Sequence, residues 1–412
     1  MDKPVKLVYA DRRGRLIEDG ELTAVGFNGA QAEVAGADWV ELPAGGDLTL
    51  LPGRLPVGWN ENDGTLEVIE GATAVAGILP MGYTRCLLPG YEVESETGLP
   101  LFGYTALGSR DGRLVVAALK TDAELKWNPL YYNTTDLPRL IAAKRTRHPA
   151  NRILEQLARC SLEYHCLTAQ NIFYERWEAG IPVSPVCNCD CLGCISLQPA
   201  ECCPAPQGRI GFVPGLGEVV ELAVSHLDRA PEGILSFGQG CEGEPSLQEE
   251  LLVESIRAIR KATAQGTINI NTNAGNTRAI QRLVDAGLDS IRVSLFSAVS
   301  GDYQWYHRPR GYGLAEVRES LGYASRQGVR TALNLLLYPG VTNRPDQTEA
   351  LAELIATVGV EQIQLRNLNL DPERLVPLLG GEELPGIPGW LADLKERFPG
   401  LLVGNYTRPN RD

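Results

Sequence analysis

Residues 187–194 read Cys-Asn-Cys-Asp-Cys-Leu-Gly-Cys, so four of the ten cysteines of a 412-residue chain fall within eight positions. Thiols at that density serve disulfide clusters, zinc sites and iron–sulfur sites. Cys187, Cys191 and Cys194 follow a C-x3-C-x2-C spacing. That spacing suits a loop wrapped around a cubane, with each thiolate reaching a different iron. Iron–sulfur clusters normally take four cysteines. Three leave one iron open, which is what an activating cluster needs. Gly193 lets the backbone come close. The competing reading is a structural zinc site, completed by Cys189, Cys202 or Cys203. Zinc prefers two pairs of ligands that close a tetrahedron.

Composition narrows the choice. Hydrophobic residues make up 44% of the chain, enough for a sizeable core. The length predicts two or three domains. A net charge of −13 and a pI near 5.0 disfavour bulk nucleic-acid binding. No apolar run approaches the roughly 20 residues that span a bilayer. The start, MDKPVKLVYADRRGRL, lacks a signal peptide's apolar stretch. The expectation is a cytoplasmic protein, where reducing conditions argue against disulfides.

The surrounding elements must position the thiols. Residues 1–125 read as a small β-rich domain. Its strand-like runs are Glu21–Phe27, Trp39–Leu42, Thr65–Ile69 and Leu114–Leu119, separated by Gly, Pro, Asn and Asp turns. Residues 135–180 read as a helical connector, a pair of helices with Ile153, Leu154, Leu157, Leu162, Ile172 and Phe173 at apolar positions. Residues 181–412 alternate. Strands are expected at Ile181–Val186, Ile234–Phe237, Thr267–Asn273, Ser290–Phe296, Arg330–Tyr338 and Gln362–Leu368. Helices are expected at Glu218–Arg229, Leu247–Ala264, Thr277–Ala286, Leu314–Arg326, Thr348–Val358 and Pro388–Arg397. Six strand–helix units demand a parallel α/β sheet, as a partial (β/α)6 barrel or a doubly wound fold. Either way the site lies at the carboxyl ends of the strands, where the cysteines fall.

Over residues 181–370 the chain resembles the radical S-adenosylmethionine (SAM) superfamily. The cysteine spacing carries the resemblance. So do Gly243-Glu244-Pro245 after the second strand and Asn-Ile-Asn-Thr-Asn, 269–273, on the third. It implies a partial barrel of radical SAM type and a [4Fe–4S] cluster on Cys187, Cys191 and Cys194. It implies that the cluster's electron cleaves SAM reductively and that hydrogen abstraction from a substrate follows. It also implies a reductant such as flavodoxin or ferredoxin. Gly243 and Glu244, or Glu242, would meet the methionine amino group. Asn271, Asn273 and Ser294 would hold the ribose and carboxylate. The family's aromatic residue before the last cysteine is Gly193 here, so the adenine contact falls to Leu192 or Phe237. No cysteine follows Cys241, and no Asp-x-His-x-x-Gly occurs in the N-terminal part. Those absences disfavour a C-terminal auxiliary-cluster domain and a cobalamin domain.

Other residues carry weaker signals. Tyr306, His307, Arg308 and Arg310 sit in a loop rich in aromatic and cationic groups. They, with Asn334 and Arg366 on later strands, are candidates for contact with a small-molecule or protein substrate. Packing and structural hydrogen bonding are the plain alternatives. Cys202 and Cys203 read as loop thiols, with an auxiliary cluster or redox pair as alternatives. Cys86, Cys160, Cys166 and Cys241 read as packing residues. The basic run Arg139, Lys144, Arg145, Arg147, His148 and Arg152 reads as a solvated helix face. Two rival functions are a regulatory protein with a structural metal site and an electron-transfer protein that uses the cluster without SAM.

Overall fold

The computed structural model describes residues 3–36, 38–123, 126–197, 203, 205–380 and 384–410. Cys202 lies outside them. The chain divides into two compact units. One comprises Met1–Glu124, Leu336–Glu349 and Leu365–Pro399; the other comprises Leu125–Leu335, Ala350–Gln364 and Gly400–Asp412.

The first unit is built on antiparallel strands. The long strand Leu16–Phe27 pairs with Lys6–Ala10 and Arg54–Asn60, and Thr73–Ile78 pairs with Asp47–Leu51. Val5, Ala24, Trp39, Leu87, Ala106 and Val115 form one of its cores. Arg85 is fully buried. It donates to the carbonyls of Tyr104, Leu337 and Leu368 at 3.0–3.3 Å and lies 4.9 Å over the Tyr338 ring. Burial pushes its guanidinium down to about 10. These contacts bind the later segments of the unit to its strands.

The second unit contains most of a seven-stranded parallel sheet. Its strands are β1 (Glu178–Gly180), β2 (Ile234–Phe237), β3 (Thr267–Thr272), β4 (Ser290–Leu295), β5 (Arg330–Leu337), β6 (Gln362–Asn367) and β7 (Leu402–Gly404), paired in that order. Helices α1 (Leu137–Arg147), α2 (Arg152–Glu163) and α3 (Leu167–Tyr174) precede it. The crossovers carry α4 (Leu216–Leu227), α5 (Glu249–Ala262), α6 (Thr277–Asp285), α7 (Ser300–His307), α8 (Leu314–Arg326), α9 (Pro345–Val358) and α10 (Ile387–Arg397). Asn151 and Asn276 cap α2 and α6 by accepting from the amides of Leu154 and Ala279.

Alternation along the strands explains the sheet. Ile268, Ile270, Ile291, Val293, Leu295, Leu333, Leu335, Ile363 and Leu365 are buried at one parity. Each contributes roughly 1.5–3 kcal/mol of burial. The other parity is polar: Ser236, Asn269, Asn271, Arg292, Ser294, Asn334 and Gln364. A parallel sheet with two apolar coverings reads as continuous hydrophobic runs. This one gives much of one face to hydrogen bonding. Arg292 Nη2 on β4 lies 3.3 Å from Glu178 Oε1 on β1, so side chains bridge the polar, concave face, the inside of a partial barrel, across three ladder steps.

Several expectations shift. The first strand is Glu178–Gly180, because the amides of Val183 and Ser184 leave the ladder for the Glu242 carboxylate. The connector has three helices, since the break at Pro149 leaves α1 before it and α2 and α3 after it. The loop after β4 opens with α7, which ends at Arg308 (φ 46) immediately before Pro309. The three-residue β7 is too short to leave a periodic signal.

Candidate active site

The cysteine loop is clamped through its backbone. Asp190 N donates to His307 O at 3.2 Å, and Leu192 N donates to Tyr306 O at 3.1 Å. Arg310 N donates to Asn188 O, and Arg310 Nη2 donates to Cys187 O, both at 2.9 Å. The end of α7 and the residues after it are therefore a cradle. Asn273 Nδ2 ties the loop to β3 through Asn188 Oδ1 at 2.6 Å.

Polar atoms surround the sulfurs. Cys191 Sγ lies 3.5 Å from His307 Nδ1. Cys194 Sγ lies 3.6 Å from Ser196 Oγ and 3.8 Å from Arg209 Nη2. Cys189 Sγ lies 2.6 Å from Tyr312 Oη and 3.4 Å from Asn273 Nδ2. A hydrogen bond with Cys189, together with burial, pushes the Cys187 thiol far up. Among the described residues, no three His, Cys, Asp or Glu side chains gather as one metal ion would require. A cubane instead spreads its thiolates over separate irons. Soft thiolates ringed by N–H and O–H donors fit an iron–sulfur cluster, whose sulfurs accept such bonds.

Two buried glutamates follow β2, with different tasks. Glu242 accepts from four backbone amides: Val183 and Ser184 on one oxygen (2.8 and 3.1 Å), Gly238 and Gln239 on the other (2.6 and 3.0 Å). Burial pushes its carboxyl up to about 7, against the pull of those amides. It staples the β1 exit to the β2 exit. Glu244 Oε1 accepts from Ser246 N at 3.0 Å and Thr272 Oγ1 at 2.6 Å, and its Oε2 accepts from Asn273 N at 2.8 Å. Burial raises its carboxyl as well. Gly243 N donates to Ser184 O at 2.7 Å and Glu244 N to Val186 O at 2.8 Å. A Cβ on Gly243 would stand 2.0 Å from the Val186 carbonyl oxygen. Glycine is required there by close backbone approach.

The remaining candidates are dispersed. Asn271 accepts from Asn269 at 3.0 Å, and Asn273 reaches the cysteine loop. Ser294 and Asn334 are half-buried partners in the β4–β5 register. Leu192 is buried under Tyr306 O. His307 is buried, and its surroundings push the imidazole down to about 3. Arg308 is exposed, Arg310 serves the cysteine loop, and Arg366 is half-buried near the end of β6.

Sequence reasoning missed the floor of the concave face. Glu178 Oε1 accepts from Ser236 Oγ at 2.7 Å and pairs with Arg292, which also donates to Gln364 Oε1 at 2.8 Å and to Thr407 Oγ1. Asn269 Nδ2 donates to Ser236 Oγ at 3.0 Å. The signal was present as polar residues at alternate strand positions. It also missed Arg209, Ser196 and Tyr312, which lie far from the cysteines in sequence or outside any motif.

Residues 181–355 match the model of the radical SAM superfamily. No curated protein matches the chain. Among solved structures, it is similar to methylornithine synthase (PylB) at 14% identity and a TM-score of 0.39, covering 67% of this chain and 72% of that one. It is similar to Streptococcus suis SuiB bound to S-adenosylmethionine at 14% identity and 0.39, covering 62% and 51%. A radical SAM methyltransferase from Sphaerobacter thermophilus gives 17% and 0.38, covering 55% and 66%. The chain spans about half the length of SuiB.

Proposed function

We propose that residues 181–355, which match the radical SAM superfamily model, form a radical SAM domain in which Cys187, Cys191 and Cys194 ligate a [4Fe–4S] cluster while Glu244 orients SAM. When bound, the cluster supplies the electron for reductive cleavage of SAM, and hydrogen abstraction from the substrate follows. The protein's own residues hold, orient and shield. The observation that carries the reading is the pairing of Gly243 and Glu244 with Ser184 and Val186. It sets the Glu244 carboxylate beside the start of the cysteine loop. There it is the charge-assisted acceptor for a ligand amine. Glu242, with four amides already on its two oxygens, acts as the staple beneath it. Asn271, Asn273 and Ser294 supply neutral hydrogen-bonding groups to the rest of SAM, and Leu192 supplies an apolar contact to its adenine.

Cys189, bonded by Tyr312 and Asn273, is assigned no ligand role because it falls outside the C-x3-C-x2-C spacing. The substrate is a small molecule or a protein, and it meets Asn334. The electron donor is a flavodoxin or ferredoxin. Thiolate ligation of this kind belongs in a reducing, cytoplasmic compartment. No helix among the described residues is long and apolar enough to cross a membrane.

Electron paramagnetic resonance tests the reading. The reduced, reconstituted protein should change its cluster signal when SAM is added. Glu244→Gln should require at least about tenfold more SAM for the same change, the loss of one charge-assisted hydrogen bond. A wild-type cluster signal indifferent to SAM would move the electron-transfer reading to the front.

A further inference from the structure

We propose that His307 donates its Nδ1–H to the sulfur of Cys191 and thereby tunes the reduction potential of the cluster. The inference rests on the cluster assignment above and adds to it a residue that does not ligate.

His307 is the last residue of α7 and is 2% exposed. Its Nε2 accepts the backbone N–H of Phe296 at 3.1 Å. An acceptor nitrogen carries a lone pair, so the ring proton sits on Nδ1. That atom faces Cys191 Sγ at 3.5 Å. The imidazole is held on both sides, with the Tyr303 ring at 4.6 Å between centroids and the Tyr306 ring at 5.0 Å, edge-on at 83°. The ring has a fixed tautomer and a fixed direction.

The same sulfur lies 3.6 Å from the His307 carbonyl oxygen and beside the Cys189 thiol. That oxygen can accept from a thiol but offers nothing to a thiolate. Once Cys191 is a ligand, its sulfur keeps the Nδ1–H as donor from this residue. A donor to a ligand sulfur withdraws electron density and favours the reduced cluster. Sequence reading placed His307 among the substrate candidates; the distances give it a task at the cluster instead.

The test uses the full-length protein, reconstituted anaerobically, with the midpoint potential followed by electron paramagnetic resonance. His307→Phe should lower the constant for cluster reduction by about tenfold, a 59 mV shift for a one-electron couple. His307→Gln, which keeps an amide N–H, should lie between Phe and wild type. A His307→Phe protein with a full cluster and a constant within about twofold of wild type, about 18 mV by the same conversion, overturns the inference alone. A wild-type protein that takes up no iron overturns the cluster assignment with it. Should His307→Phe lose the cluster, pulsed resonance on wild-type protein labelled with 15N-histidine decides. A coupling that disappears in His307→Gln supports the bond, and the absence of any coupling refutes it.

Discussion

Arg292→Leu removes the cation at the centre of the polar floor. Arg292 pairs with Glu178 at 3.3 Å, donates to Gln364 at 2.8 Å and bonds Thr407. Without it, Glu178, 4% exposed, loses the guanidinium's charge while the neutral donors Ser236 Oγ at 2.7 Å and Gln239 Nε2 at 3.4 Å stay in place. Removing one partner of a buried pair costs about 3–5 kcal/mol. Adding Glu178→Gln removes the buried charge that Arg292 faced, so the double variant should recover about 2 kcal/mol of that loss. Urea unfolding of the single and double variants, followed by circular dichroism, measures both quantities. An Arg292→Leu cost below about 1 kcal/mol, or a double variant no more stable than the single one, would refute the idea that this pair holds the concave face.

Three further outcomes are expected. Gly243→Ala must push its Cβ off the Val186 carbonyl, 2.0 Å away, so reconstituted iron and sulfide content should fall by at least about half, read by colorimetric assay. Arg310→Ala frees the Cys187 carbonyl and should accelerate loss of iron to a chelator several-fold while leaving the far-ultraviolet dichroism unchanged. Burial raises the Glu175 carboxyl, but Lys144 and Arg147 overcome it and hold it at about 2. A folded value below the ordinary 4.3 or so gives stability that is present above that pH and lost as pH falls toward 2. Glu175→Gln should therefore lower the melting temperature at neutral pH and flatten its fall between about pH 4.5 and 2.

Much of the parallel domain was legible because its strands and helices obey strong local rules. Ile234–Phe237 and Leu314–Arg326 have the bounds that periodicity predicts, and the other β3–β6 strands differ by a residue at the end. The cysteine loop stood out because four thiols in eight residues have few uses. What escaped depends on distant pairing. The first strand ends early because a glutamate about 60 residues later captures its amides. Glu242 and Glu244 look alike in sequence, and their hydrogen-bond partners alone separate the staple, Glu242, from the carboxylate proposed to meet SAM. His307 and Arg310 were visible as unusual residues, but their task depends on how the end of α7 meets the cysteine loop.

The central claim is that three of the four clustered cysteines support reductive cleavage of SAM. The direct measurement is 5′-deoxyadenosine released from SAM by the anaerobically reconstituted, dithionite-reduced protein, compared across four single Cys→Ala variants. Wild type and Cys189→Ala should release it, and the variants at Cys187, Cys191 and Cys194 should release none. Release that survives loss of any of those three, or that vanishes with Cys189 alone, would contradict the central claim.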